Sequence, residues 1–298
     1  IIAFLSYFTI ILNAMLSISR LFILYSKGSA SARRIEEIMQ TPEDLTRTEA
    51  PKADTSAHVV FENVSFSYNK HFNNVSDLSF SVDHGQTLGI IGPTGSGKST
   101  LLSLLMRLYD PDQGRILLDG RPIASLTPDE LHGRLGVVFQ SDFLMADTIR
   151  ENIRFGRTVS EEAIESAIDC AQAAFIRRKE GGLDFPLNVK GRNLSGGQQQ
   201  RVLICRALAG DPRLLLLDDC SSALDFRTDR ELRHALRARH GHATTVIVAQ
   251  RVSSVMAADH IMVMEKGRIV GNGTHDELLL NCPMYRELTK LQLGGKAI

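Results

Sequence analysis

The sequence predicts an α/β fold. Short buried strands and helices surround a phosphate-binding loop, with an antiparallel β layer, an inserted helical subdomain and a membrane-spanning helix ahead of them. Three observations carry that expectation. Residues 92–100 read GPTGSGKST, which fits G-x-x-x-x-G-K-[ST] with Gly92, Gly97, Lys98 and Ser99 at the fixed positions. Residues 214–219 are four leucines followed by two aspartates. The first 19 residues carry no charge.

Taken in order, residues 1–19 have the length and composition to span a bilayer, and apolar character resumes after Arg20 at Leu21, Phe22, Ile23, Leu24 and Tyr25. Lys27, Arg33 and Arg34 follow, so this end is expected to face the cytoplasm. A secretory signal is disfavoured because there is no basic n-region and no small-residue cleavage site. A lone spanning helix also suggests that further membrane helices precede it in the complete polypeptide. Residues 31–39 continue as a helix of mixed charge, giving a first unit over 1–40. Residues 41–57 are polar, with two prolines, and read as a linker. The remaining domain is placed at 58–298.

Residues 58–68 and 78–82 alternate polar and apolar and predict two strands of an antiparallel layer. Tyr68, at the end of the first, has an aromatic face suited to a flat base or simply to packing. Residues 87–91 are a buried strand entering the glycine loop, and residues 101–105 are the helix leaving it. Strand, loop and helix together aim backbone N–H groups and a helix N-terminus at one point. A polyphosphate would sit there, cradled by Gly92, Thr94, Gly95, Ser96, Gly97, Lys98, Ser99 and Thr100. Lys98 would reach the β- and γ-phosphates, and the Ser99 hydroxyl would ligate Mg²⁺. Residues 115–120 form a short strand and turn. Residues 136–140 form another buried strand ending on Gln140, which either caps the strand or reaches a metal or water.

Residues 142–205 change to helical patterning, with helix starts near Asp147 and Ser160. This insertion closes on Leu194, Ser195, Gly196, Gly197 and Gln198, a second glycine-and-hydroxyl corner at a helix start. Either the chain binds two phosphates, or this second corner serves a neighbouring molecule. The leucines at 214–217 form a buried strand that delivers Asp218 to a metal, with Asp219 beside it. Residues 244–250 make another buried strand ending on Gln250. Residues 260–271 read as a hairpin around Glu265, Lys266 and Gly267, and the tail at 276–293 is helical in pattern.

Composition removes some classes. The chain's 298 residues allow one large or two modest domains. Lys+Arg and Asp+Glu both number 34, so charge offers no attraction to nucleic acid, and no nucleic-acid partner is expected. Cys170, Cys205, Cys220 and Cys282 lie far apart, without metal or disulfide spacing. The N-x-[ST] triplets at Asn63, Asn74 and Asn193 fall inside the nucleotide domain and are taken as chance.

In that order, the phosphate loop, Gln140, LSGGQ at 194–198, the LLLLDD strand and the turn at 222–225 resemble the nucleotide-binding domain of ABC transporters. The helix and linker ahead of it resemble the last membrane helix of an exporter half-transporter. The resemblance covers essentially the whole chain. It implies an ATP- and Mg²⁺-dependent ATPase in which two domains pair head to tail. Each ATP then lies between one chain's phosphate loop and the other's LSGGQ. It implies that Tyr68 stacks on adenine, that Gln140 senses Mg²⁺, and that Asp218 positions the metal with Ser99. Ser195, Gly196 and Gly197 would contact a partner's γ-phosphate. The complete protein would be a multi-pass protein of the cell membrane, in contact with lipid, with this domain cytoplasmic.

Three positions depart from the family pattern. Asp219 stands where Glu usually acts on the attacking water, Gln250 where His usually contacts the γ-phosphate, and Val189 where exporters often carry Glu. Asp is one methylene shorter than Glu, which draws its carboxylate back by about 1.5 Å. These changes touch hydrolysis more than binding. The expectation is therefore the degenerate-site subunit of a heterodimeric multidrug-type exporter, whose partner is a different half-transporter with the usual catalytic Glu. The alternatives are a homodimer that hydrolyses slowly and a regulatory ATP-binding module that does not turn over. The transported substrate is chosen by membrane helices outside this chain and is not legible in it.

Overall fold

The computed structural model describes residues 1–41 and 45–294. The predicted linker's residues 42–44 and the last four residues of the predicted domain lie outside them. By its internal contacts the chain divides into two compact units, Ile1–Thr46 and Arg47–Ile298.

The first unit is one continuous helix, α1 (Ile2–Met39). Its 38 residues give a length of about 57 Å, longer than the ~30 Å hydrocarbon core of a bilayer. By length and composition it can cross a membrane. None of its side chains is buried, so its apolar face finds no partner within the unit.

The second unit holds two sheets. In the antiparallel sheet, β1 (Val59–Phe66) lies between β2 (Val75–Val82) and β4 (Gln113–Leu118), and β5 (Arg121–Pro122) completes the edge. Strand β4 therefore belongs to the β layer. That pairing reaches across the loop and helix that follow β2, so local alternation gave no sign of it. Part of the predicted linker packs here. Arg47 Nε donates to the Ser125 carbonyl at 2.9 Å, and Ala53 N donates to the Gly120 carbonyl at 2.7 Å.

The larger sheet has the order β10-β9-β3-β8-β7-β6. Its strands are β3 (Thr87–Ile91), β6 (Leu135–Val138), β7 (Leu214–Asp218), β8 (Thr244–Val248), β9 (His260–Glu265) and β10 (Arg268–Gly273). All neighbours pair parallel except β9 with β10. Both faces of this sheet are covered, and each strand divides its side chains between them. Leu214, Leu216, Val246, Val248, Met262 and Met264 enter a core shared with the antiparallel sheet and with α2 (Lys98–Leu105). Leu215, Leu217, Ile247, Ile261 and Val263 enter a second core with the helical elements. A run of four leucines is what a strand buried on both faces requires.

The remaining α-helices of the unit are α3 (Pro128–His132), α4 (Ile149–Arg154), α5 (Glu161–Cys170), α6 (Gly196–Leu208), α7 (Phe226–Arg239), α8 (Val252–Val255), α9 (His275–Asn281) and α10 (Pro283–Leu293). Thr148 and Ser160 cap α4 and α5 by accepting the Glu151 and Ala163 amides. The helical tail is two helices, because Pro283 starts a new one at its first position. The hairpin of β9 and β10 turns through Lys266 (φ 47°) and Gly267 (φ 77°), the left-handed pair of a two-residue turn.

Candidate active site

The phosphate loop is held from three sides. At Gly92 a Cβ would meet the Met264 carbonyl at 2.1 Å, so β9 runs against the loop too closely for any side chain. The β9–β10 turn braces it as well: Gly267 N donates to the Ser96 carbonyl at 3.1 Å, and Ser76 N donates to the Gly267 carbonyl at 2.8 Å. Gly97 has φ 98° and stands at the N-cap of α2 without a side-chain cap, which leaves the first N–H groups of that helix open.

Above the loop lies a cavity of about 210 Å³. Of the predicted residues, Thr94, Gly95, Gly97, Lys98, Ser99, Thr100, Gln140, Asp218, Asp219 and Gln250 line it. Lys98 Nζ donates to the Gly92 carbonyl at 2.9 Å and to the Pro93 carbonyl at 2.8 Å, curling over the loop. Ser99 Oγ donates to Asp218 Oδ2 at 2.9 Å. Burial pushes the Asp218 carboxyl above its ordinary range, against the pull of Ser99 and Lys98. Burial pushes the Lys98 ammonium down, against both aspartates. A hydroxyl and a carboxylate already in contact, with the Gln140 amide on the same wall, form an oxygen donor set suited to a hard cation such as Mg²⁺.

Asp219 leaves β7 with φ 48°, a left-handed conformation that aspartate tolerates better than most residues. Its backbone N donates to the Val248 carbonyl at 2.8 Å, and its carboxylate accepts from Gln250 Nε2 at 3.2 Å. Two of the three departures from the family pattern, Asp219 and Gln250, thus touch each other. Burial, then the neighbouring Asp218, push the Asp219 carboxyl upward.

Some predicted residues are elsewhere. Gly92 and Ser96 support the loop from outside the cavity lining. Tyr68 is 48% exposed and also outside it, packed edge-on against Phe66 at 4.9 Å and Tyr109 at 5.1 Å. Its backbone N donates to Asn74 Oδ1 at 3.0 Å, and Asn74 does line the cavity. Asn74 was read only as a chance triplet. Its position just before β2, where Gly97 and Gly267 both approach its carbonyl, is a tertiary fact with no local signal.

The second corner is built differently. Ser195 caps α6: its Oγ accepts from Gln198 N at 3.3 Å, and Gln198 Oε1 accepts from Ser195 N at 3.1 Å. Leu194 is buried as an anchor, and Gly196 and Gly197 lie at the helix start. None of residues 194–198 lines the cavity. Two residues on, Gln200 Nε2 donates to the Asp219 carbonyl at 3.4 Å and its Oε1 accepts from Ala223 N at 3.2 Å. The helix of the second corner is therefore tied to the backbone of the first.

Residues 75–222 match a family described as ABC transporter. The chain is 38% identical over 297 residues to the uncharacterized ABC transporter ATP-binding protein YknU of Bacillus subtilis (strain 168), covering 98% of this chain and 51% of that one. It is 37% identical over 265 residues to a fatty acid ABC transporter ATP-binding/permease protein of Mycobacterium tuberculosis (strain CDC 1551 / Oshkosh), covering 88% and 42%. A solved structure of a bacterial Atm1-family ABC exporter with ATP bound superposes with TM-score 0.83 at 37% identity, over 90% of this chain and 48% of that one. The chain spans about half the length of the curated relatives it matches.

Proposed function

The chain carries an ABC transporter ATP-binding domain, and from that premise we propose that it is the nucleotide-binding end of an exporter-type half-transporter whose own site hydrolyses ATP slowly. ATP binds in the cavity over the loop at 92–100. The N–H groups at the start of α2 and the Lys98 ammonium take its phosphates. Ser99, Asp218 and Gln140 hold Mg²⁺, which supplies charge neutralisation on the phosphate oxygens. Tyr68 stacks on the adenine from the rim.

The observation that carries the slow-site reading is the contact between Gln250 Nε2 and Asp219 Oδ2 at 3.2 Å. The carboxylate that would take a proton from water is short and already accepts a hydrogen bond. The side chain that would meet the γ-phosphate is the donor of that bond and cannot become an imidazolium. A misplacement of about 1 Å costs on the order of 10²-fold in rate. The second corner at 194–198 is intact and lies outside the chain's own cavity, which suits service to the ATP of a second half-transporter carrying the usual Glu. On this reading α1 is the last membrane helix, the second unit is cytoplasmic, and binding and hydrolysis at the shared interface drive export across the cell membrane.

Steady-state ATPase of the membrane complex tests this. Asp219→Asn is expected to change turnover less than about threefold, because little proton transfer passes through that group. Ser195→Ala is expected to reduce it about tenfold or more, through loss of one donor to a phosphate in the competent site. Equal and near-total losses in both variants would point to a homodimer working through Asp219.

A further inference from the structure

Away from the nucleotide cavity, three strand ends bring two histidines and an aspartate together. His58 precedes β1, His84 follows β2, and Asp119 follows β4. Sheet register sets this: His58 N donates to the Val82 carbonyl at 2.9 Å, and Asp119 N donates to the His58 carbonyl at 2.8 Å. The three side chains offer ligand atoms that all lie within 4.8 Å of one another.

The His58 ring is held by Thr244. Thr244 Oγ1 accepts from Gly85 N at 3.1 Å, stands 3.2 Å from the Asp83 carbonyl and contacts His58 Nδ1 at 2.7 Å, which leaves Nε2 on the side of Asp119. His58 is 1% exposed, and its Nε2 has no hydrogen-bond partner. Nε2 stands 3.8 Å from Asp119 Oδ1, beyond hydrogen-bond distance. His84 Nε2 approaches the same oxygen at 3.2 Å from the solvent side, its ring stacked on His58.

We propose that His58 Nε2, His84 Nε2 and Asp119 Oδ1 bind a divalent transition-metal cation of the zinc class. Such ions take imidazole nitrogen and carboxylate oxygen at about 2.0–2.2 Å, which puts neighbouring donors of a tetrahedral centre about 3.3 Å apart. The 3.2 and 3.8 Å spacings from Asp119 Oδ1 bracket that value, and the exposed His84 ring would turn out of its stack on His58 to aim its Nε2 at the ion. The outer shell is also in place. Thr244 fixes the His58 ring through Nδ1, and Arg134 Nη1 holds Asp119 Oδ2 at 3.0 Å, which leaves Oδ1 for the ion. The side beside the exposed His84 is open to solvent, so water would supply the fourth ligand. The ion would pin together the three strand ends where the chain enters the antiparallel sheet.

The test uses the full chain in detergent, stripped of metal by a chelator, in a His242→Ala background. That change disrupts a second cluster of Asp211, His240 and His242, the other such group among the described residues. Co²⁺ is titrated by its visible absorption, and Zn²⁺ is then added to displace it. One equivalent is expected, with a Co²⁺-dependent rise in melting temperature. His84→Ala, an exposed position that does not threaten folding, should weaken binding by more than about tenfold and abolish the rise. His58→Asn, which keeps a polar group toward Thr244 and removes Nε2, should do the same. Absence of a saturable cobalt spectrum, or a spectrum unchanged by His84→Ala, overturns the proposal.

Discussion

The two glycine corners of this molecule use the same electrostatics and arrive at different structures. Both place glycines at a helix N-terminus, where unpaired N–H groups favour an anion. At α2 those groups stay unspent: Gly97 offers no side-chain cap, and the cavity above is walled by Gln140, Asp218 and Gln250. At α6 the Ser195 hydroxyl accepts from the Gln198 backbone N and the Gln198 side chain accepts from the Ser195 backbone N, and the corner has no share in that cavity. One corner lines a cavity of its own; the other does not, and on the proposed function it becomes a site when a second molecule supplies the wall. The chain is thus asymmetric in what it can do alone, and the proposed division of labour with a partner follows from that asymmetry.

The sharpest way to break the comparison is at the pocket of the first corner. Lys98→Ala should lower nucleotide affinity and turnover by about 10²- to 10³-fold, because it removes the one ammonium curled over the loop from a half-buried position. Fluorescent-nucleotide titration of the variant would check this. Nucleotide binding that survives with near-normal affinity would mean that the loop's N–H groups suffice, and the first corner would be no better equipped than the second.

That pocket was also the most legible part of the sequence. The loop pattern is fixed by backbone geometry within nine residues, 92–100, and the leucines at 214–217 can only be a strand covered on both faces. The turn at Lys266 and Gly267 announced its hairpin in the same local way. What stayed hidden is what depends on distant chain. Helix α7 escaped because its buried stripe is short and interrupted by charge: it consists of Asp229, Leu232 and Leu236 within FRTDRELRHALRAR. Asn74 lines the cavity only because β9–β10 and the loop close on it from both sides. The His58, His84 and Asp119 cluster is assembled by strand register from positions far apart in the chain and has no motif.

A second test sharpens the difference by repairing the pocket of the first corner. Asp219→Glu restores the missing methylene and should raise hydrolysis at this site by up to about 10²-fold, with nucleotide affinity unchanged. Single-turnover hydrolysis separates that gain from binding and product release. If the longer side chain brings no gain, reach is not the deficit, and the hydrogen bond from Gln250 becomes the cause to test for the proposed slow hydrolysis. Gln250→His in the Glu background would then recover the rate that Glu alone does not.

The smallest expected effect bears on the second corner, where folding and function are entangled in one hydroxyl. Ser195 caps α6, so an activity loss in Ser195→Ala has two readings: a frayed helix, or a missing donor to phosphate. Glycine separates them. At an N-cap, Ala in place of Ser costs about 1 kcal/mol while Gly costs a few tenths. For a domain of this size that is a drop of about 2–4 °C in melting temperature for Ser195→Ala and about 1 °C for Ser195→Gly. If the corner completes a site on another molecule, both variants should lose the same roughly tenfold in turnover of the assembly despite their different stabilities. If activity instead follows melting temperature, with Ser195→Gly nearly normal, the serine is a cap and nothing more, and the two corners differ in kind as well as in completeness.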